Sequence, residues 1–187
     1  MRLVSVLLPA LVLAGCASSP PAPTPPRVPA NLQPPAGQVL FMEALASGVQ
    51  IYDCAAKADG SGPGWVFKAP EATLADRRSN PLGKHYAGPT WEALDGSKVV
   101  GEVKARQPSE TPATAIPWLL LSAKSVGLVV RSDAGATAEN TKNLFAGTKS
   151  IQRLETGGGV EPAEACTTEK LGQQARVAYT ATYYFYR

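Results

Sequence analysis

One stretch of this 187-residue chain sets its histidine beside aromatic and acidic side chains. Residues 83–101, GKHYAGPTWEALDGSKVVG, carry His85, Tyr86, Trp91, Glu92 and Asp95, and His85 is the single histidine of the chain. An imidazole oriented by a carboxylate is a general acid–base pair. Glu92 and Asp95 are the nearest acids in sequence, and cross-strand neighbours in a hairpin could bring one of them to the ring. Trp65, Trp91 and Trp118 could form an aromatic platform for sugar rings, although tryptophans in a β domain of this size more often fill its core. Trp91, set among prolines and glycines, is expected to be the most exposed of the three. Against catalysis stands the lack of companions. There is no HExxH, no Gly-x-Ser-x-Gly and no Cys–His couple, and a metal site takes three or four ligands. The expectation is therefore a structural His85 bonded to loop backbone. Residues 83–101 then form a binding region, with no catalytic residue, metal or cofactor assigned. The alternative is an envelope hydrolase using His85 with Glu92 or Asp95.

Such a region has to be held by strands. Asp95-Gly96 is a turn signal between a strand over residues 89–94 and another over 98–105. Residues 49–54 (VQIYDC) alternate with period two, and a strand pair is expected to turn at Ala46-Ser47-Gly48. Trp65-Val66-Phe67 reads as a strand ended by Pro70, followed by one helical turn over residues 71–76 and a loop over 77–82. Residues 117–123 (PWLLLSA) form the most apolar run beyond the N-terminal segment and read as a strand buried on both faces, with Trp118 in the core. A continuation over 126–131, a loop over 133–143 and a half-exposed strand over 149–156 follow. Gly157-Gly158-Gly159 ends that strand and precedes no Lys-Ser/Thr helix, so it is no phosphate cradle. The C-terminal strand is the clearest. Val177, Tyr179, Ala181, Tyr183 and Phe185 alternate with Ala178, Thr180, Thr182, Tyr184 and Tyr186, β-branched or aromatic at most positions. With 17 glycines, 17 prolines and no long helical period, the chain reads as one all-β domain, a sandwich or barrel-like fold with little helix.

The N-terminus is organised differently. Met1-Arg2 is a basic start, residues 3–12 are an apolar run too short to span a bilayer, and Leu13-Ala14-Gly15-Cys16 follows. This resembles the lipobox of bacterial lipoproteins. The resemblance implies a signal peptide over residues 1–15, acylation of Cys16, and a mature protein held to the membrane by its lipid. With Ala17 and Ser18 after the cysteine, it implies an outer-membrane lipoprotein, facing the periplasm or the cell surface. Residues 16–35 are dense in proline and read as an extended tether, leaving residues 36–187 for the domain. In an oxidising compartment the remaining cysteines, Cys54 and Cys166, are expected to pair. Lys and Arg number 18 against 15 acids and form no cluster, so nucleic acid is excluded as a partner. An envelope glycan or a partner protein is expected instead.

Several segments, in order, carry a second resemblance: GVQIYDC, W-x-F-K-A-P-E-A-x-L, GKHYAGPTWEALDGS, IPWLLL, IQRL-x-T-x-GG, the late cysteine and VAYTATYYFY. Together they resemble the domain of unknown function 3455 family across nearly all of residues 36–187. The family implies secreted or envelope proteins of bacteria and fungi. It implies no particular activity.

Overall fold

A computed structural model describes residues 23–126 and 143–187. Eight strands follow one another as an antiparallel meander and close into a barrel. They are β1 (Leu40–Ala56), β2 (Pro63–Ala75), β3 (Pro81–Tyr86), β4 (Thr90–Ala93), β5 (Lys98–Gln107), β6 (Trp118–Val126), β7 (Ser150–Gly158) and β8 (Gln174–Tyr186). Pairing of β1 with β8 shuts the sheet and removes its edges. Among the described residues the only helical elements are two 3-10 turns, Ala30–Leu32 and Thr168–Lys170.

Alternation along the strands sorts the side chains. Met42, Ala44, Ala46, Leu74, Trp91, Val99, Leu119, Leu121, Ile151, Tyr183 and Phe185 form the interior core. Glu71, Lys84, Glu92, Lys98, Glu102, Lys104 and Arg176 make ion pairs around the outside. An outer face bearing these charges suits water and not the apolar band of a membrane barrel.

Several local expectations give way to closure of the barrel. β1 runs straight through Ala46-Ser47-Gly48 with no turn, pairing with β2 on one side and β8 on the other. Gly48 is there because β2 passes too close for a side chain: a Cβ would collide with the Glu71 carbonyl oxygen and with Ala72. Pro70 does not end β2, and residues 71–75 are strand, not a helical turn. Pro81 and Leu82 belong to β3 instead of a loop. Most of the continuation at 126–131 and the loop at 133–143 lie outside the described residues.

The tether also ends earlier than its proline content suggests. Leu32 is fully buried, packed with Leu40, Leu154, Tyr184 and Tyr186, and Val28 lies against the same cluster. The Leu32 carbonyl accepts a 2.7 Å bond from Gln152 Nε2, whose Oε1 accepts the Tyr186 hydroxyl at 2.8 Å. Asn31 Nδ2 donates to the Arg106 carbonyl at 3.2 Å. This segment is a strap across the outside of β5–β8, and the folded body begins near Val28 instead of Ala36. It also explains β8, where residues 181–186 are buried on both faces: Tyr183 and Phe185 fill the barrel while Tyr184 and Tyr186 lie under the strap. Trp118 and Leu120 share that outer cluster and are only half-buried, so β6 is not sealed on both faces.

The two ends of the barrel differ. At one end Phe145 inserts as a plug, its ring 4.9 Å from Phe185. At the other, residues 108–117 fold inward and are held there: Ile116 N donates to Gly158 O, Thr156 Oγ1 donates to Ile116 O, and Ala115 bridges Gly159. At that end the Cys54 and Cys166 sulfurs lie 2.03 Å apart, joining the β1–β2 hairpin to the β7–β8 connection.

Candidate functional site

The residues singled out by sequence do not form one site. Pleating separates them, because the β3–β4 register sets His85 opposite Trp91 and Lys84 opposite Glu92. His85 and Trp91 therefore point into the barrel, while Tyr86 and Glu92 point out.

His85 is 3 % exposed, stacked on the Trp91 indole with ring centroids 4.3 Å apart, and meets Tyr183 edge-on at 5.1 Å. Its Nδ1 lies 2.9 Å from the Thr90 carbonyl oxygen. A carbonyl only accepts, so Nδ1 carries the hydrogen and Nε2 is left as the basic nitrogen. Burial pushes the pKa of the ring down to about 3, against a smaller opposing effect of the Thr90 bond. Such an imidazole is neutral and a weak base at physiological pH, and neither Glu92 nor Asp95 touches it. The pairing on which an acid–base role depends is not formed. The backbone bond expected of a structural histidine is present, made to strand β4 and not to a loop.

Trp91 is 1 % exposed, which overturns its reading as the most exposed tryptophan. The surrounding glycines and prolines do not open it to solvent; one of them makes room for it inside. A Cβ on Gly101 would lie 2.9 Å from the indole, so the ring occupies space that any side chain there would take. Trp91 also meets Tyr183 edge-on at 5.2 Å.

Tyr86 and Glu92 meet on the outer face, the hydroxyl donating to Glu92 Oε2 at 2.7 Å, with Lys98 at 3.2 Å and Lys84 at 3.6 Å. The Tyr86 hydroxyl foremost, helped by Lys98, holds the Glu92 carboxyl below its ordinary pKa. An ion cluster so exposed contributes little to stability. Asp95 sits at the plugged end. Its Oδ1 accepts from Ser97 N at 2.8 Å and Ser97 Oγ at 2.6 Å, and its Oδ2 accepts from Leu144 N at 2.8 Å. Asp95 thus anchors the segment that carries the Phe145 plug.

What the barrel does assemble is a cavity at the end opposite Phe145. It has a volume of about 410 Å³, and Gln50, His85, Trp91, Arg106, Arg153 and Tyr183 line it. An eight-stranded barrel is just wide enough to be filled by side chains or to hold one small ligand, and this volume lies within the range of small-molecule sites. Arg153 enters from β7, two residues beyond fully buried Ile151 on the same face, and its Nε and Nη2 donate to the Pro117 carbonyl at 3.2 and 2.8 Å. Gln50, Arg106, Arg153, Tyr179 and Tyr183 were not among the sequence candidates. The signal existed only in part, since Tyr179 and Tyr183 alternate on one face of β8 and Arg153 follows Ile151 at period two.

These features define a closed, water-facing eight-stranded barrel with a polar-tipped internal cavity at one end. Over residues 35–187 the chain matches the family described as protein of unknown function (DUF3455), and it belongs to that family. No curated protein and no solved structure matches it.

Proposed function

We propose that this is a lipid-anchored envelope protein whose barrel takes a small ligand into its open end and performs no chemistry on it. The observation that supports this most directly is the cavity itself: about 410 Å³ of space beside an otherwise well-filled core, with buried polar groups turned toward it. The side chains on its walls include a histidine kept neutral by burial and no carboxylate to activate a nucleophile, so the arrangement suits binding better than hydrolysis.

Anchoring rests on the resemblance of Leu13-Ala14-Gly15-Cys16 to a lipobox; Cys16 lies outside the described residues. Because the strap engages the barrel from Val28, only a short run separates Cys16 from the folded body. Fully extended polyproline geometry would give it a reach of roughly 35 Å. The barrel would thus work close to the membrane surface, and the ligand would be a small molecule of the envelope or a group presented by an envelope glycan.

Native mass spectrometry of the protein extracted from membranes tests the binding reading. The wild type should carry a small molecule that Leu119→Trp, which fills the cavity from its wall, has lost while keeping a cooperative melting transition. Equal occupancy of both proteins would overturn the cavity as the binding site. Loss of the protein from the membrane fraction on Cys16→Ser is the expected result for the anchor.

A further inference from the structure

The cavity is unbalanced in both charge and hydrogen bonding. Gln50, Trp91, Tyr179 and Tyr183 are each at most 3 % exposed. Yet Gln50 Nε2, Trp91 Nε1 and the hydroxyls of Tyr179 and Tyr183 have no hydrogen-bond partner among the described residues. Each of these atoms is a donor, and burying one without an acceptor is costly enough that native proteins rarely do so. Tyr179, Tyr183, Gln50 and Arg153 approach one another closely enough to shift one another's ionisation, and a tyrosine hydroxyl can accept as well as donate, but none of these contacts reaches full hydrogen-bond geometry.

The cations are equally unmatched. A guanidinium has five N–H groups. Arg153 donates from Nε and Nη2 to Pro117 O, and the Tyr183 hydroxyl is a close neighbour of its guanidinium, so its other N–H groups have no carboxylate partner among the described residues. Arg106 and Arg153 both stand opposite Leu119, on β5 and β7, so they share the inward face, and both line the cavity. Neither forms an ion pair with a carboxylate among the described residues. Lys68, also at the mouth, is already paired with Asp53 at 3.0 Å. Glu161 is exposed and lines the adjoining cleft, which shares Tyr52 and Arg106 with the cavity, and it makes no ion pair with either arginine. Two arginines and a set of unpartnered donors, with no acid among the described residues of the cavity wall, suit a negative group with several acceptor oxygens.

From this we infer that the barrel binds an organic oxyanion, a carboxylate or phosphate monoester on a compact apolar body. The anion sits between Arg153 and Arg106, and the body lies against Trp91, Leu119 and Leu121. A planar fork matches the two oxygens of a carboxylate or two of a phosphate, while the apolar wall excludes free inorganic ions from the deeper part. The inference rests on the reading of the open end as a ligand site and names the chemistry of its ligand.

Calorimetric titration of the full-length protein in detergent tests it with three probes of one shape: benzoate, phenyl phosphate and benzyl alcohol. One or both anions should bind, more weakly as salt rises, while benzyl alcohol should bind at least tenfold more weakly. The better anion identifies the head group. Arg153→Lys, which keeps the charge and loses the fork, should weaken that anion about tenfold. Arg106→Gln, at the exposed mouth where folding is not at stake, should weaken it about 2–5-fold. If benzyl alcohol binds as well as the anions and Arg106→Gln changes nothing, the oxyanion assignment falls while a ligand-binding barrel stands. If none of the three binds a protein that melts cooperatively, the assignment falls as well, and retained ligand in the mass-spectrometric comparison then decides the fate of the cavity on its own.

Discussion

Mild acid should destabilise this protein through one side chain. His85 is the only histidine, so between pH 7.5 and 5.0 few other side chains titrate. In the unfolded chain its pKa is the ordinary value near 6.5; in the barrel, burial between Trp91 and Tyr183 lowers it to about 3. Between those values the unfolded chain binds a proton that the folded one does not. Stability therefore rises with pH: the contribution is fully present above about pH 6.5 and declines as pH falls toward 3. Each pH unit is worth about 1.4 kcal/mol, so the loss at pH 5.0 is about 2 kcal/mol. Urea unfolding followed by tryptophan fluorescence at several pH values should show this slope. It should be absent in His85→Gln, whose amide is similar in reach and does not titrate. The carboxylates held at lowered pKa, such as Glu92 and Asp76, begin to protonate only below this window. A wild-type stability that stays flat from pH 7.5 to 5.0, or an imidazole pKa near 6.5 measured by NMR in the folded protein, would refute the buried placement of the ring.

The strap, the sulfur pair and the plug anchor each make a separate prediction. Leu32→Ala should cost about 2–5 kcal/mol, the range for truncating a fully buried leucine, and expose Tyr184 and Tyr186 to solvent, read as faster hydrogen exchange in the outer part of β8. Replacing Cys54 and Cys166 with serine releases a cross-link spanning 112 residues in sequence and should lower stability by about 4–5 kcal/mol; reductant should affect the wild type and leave the double variant unchanged. Asp95→Asn removes the charge that accepts from Ser97 and Leu144 and should cost about 1–3 kcal/mol in urea unfolding. Chemical shifts around Phe145 should move while those lining the cavity stay in place.

Period-two alternation, the Asp95-Gly96 turn and the aromatic run of β8 were legible from the residues because they are local. Pleating puts every second side chain on one face whatever the rest of the chain does. That was enough for an all-β domain with little helix and for most of its strands. It was not enough for Gly48, which looks like a turn in sequence and is a strand position crowded by Ala72. Nor was it enough for residues 71–75, where a helical pattern yields to the ladder with β1.

The candidate region shows the same limit. That His85 and Trp91 lie in neighbouring extended segments followed from the sequence. That they stack, with Glu92 on the opposite face, followed from a register no local pattern specifies. Alternation tells which side chains travel together, and only closure of β1 onto β8 decides which face becomes the inside. By itself the sequence determined that the chain pairs extended segments, and where many of them turn. The tertiary structure decided that Trp91 is buried, that Arg153 and Arg106 converge, and that a proline-rich stretch ends as a strap. Each of those depends on residues far apart in the chain being brought to one place.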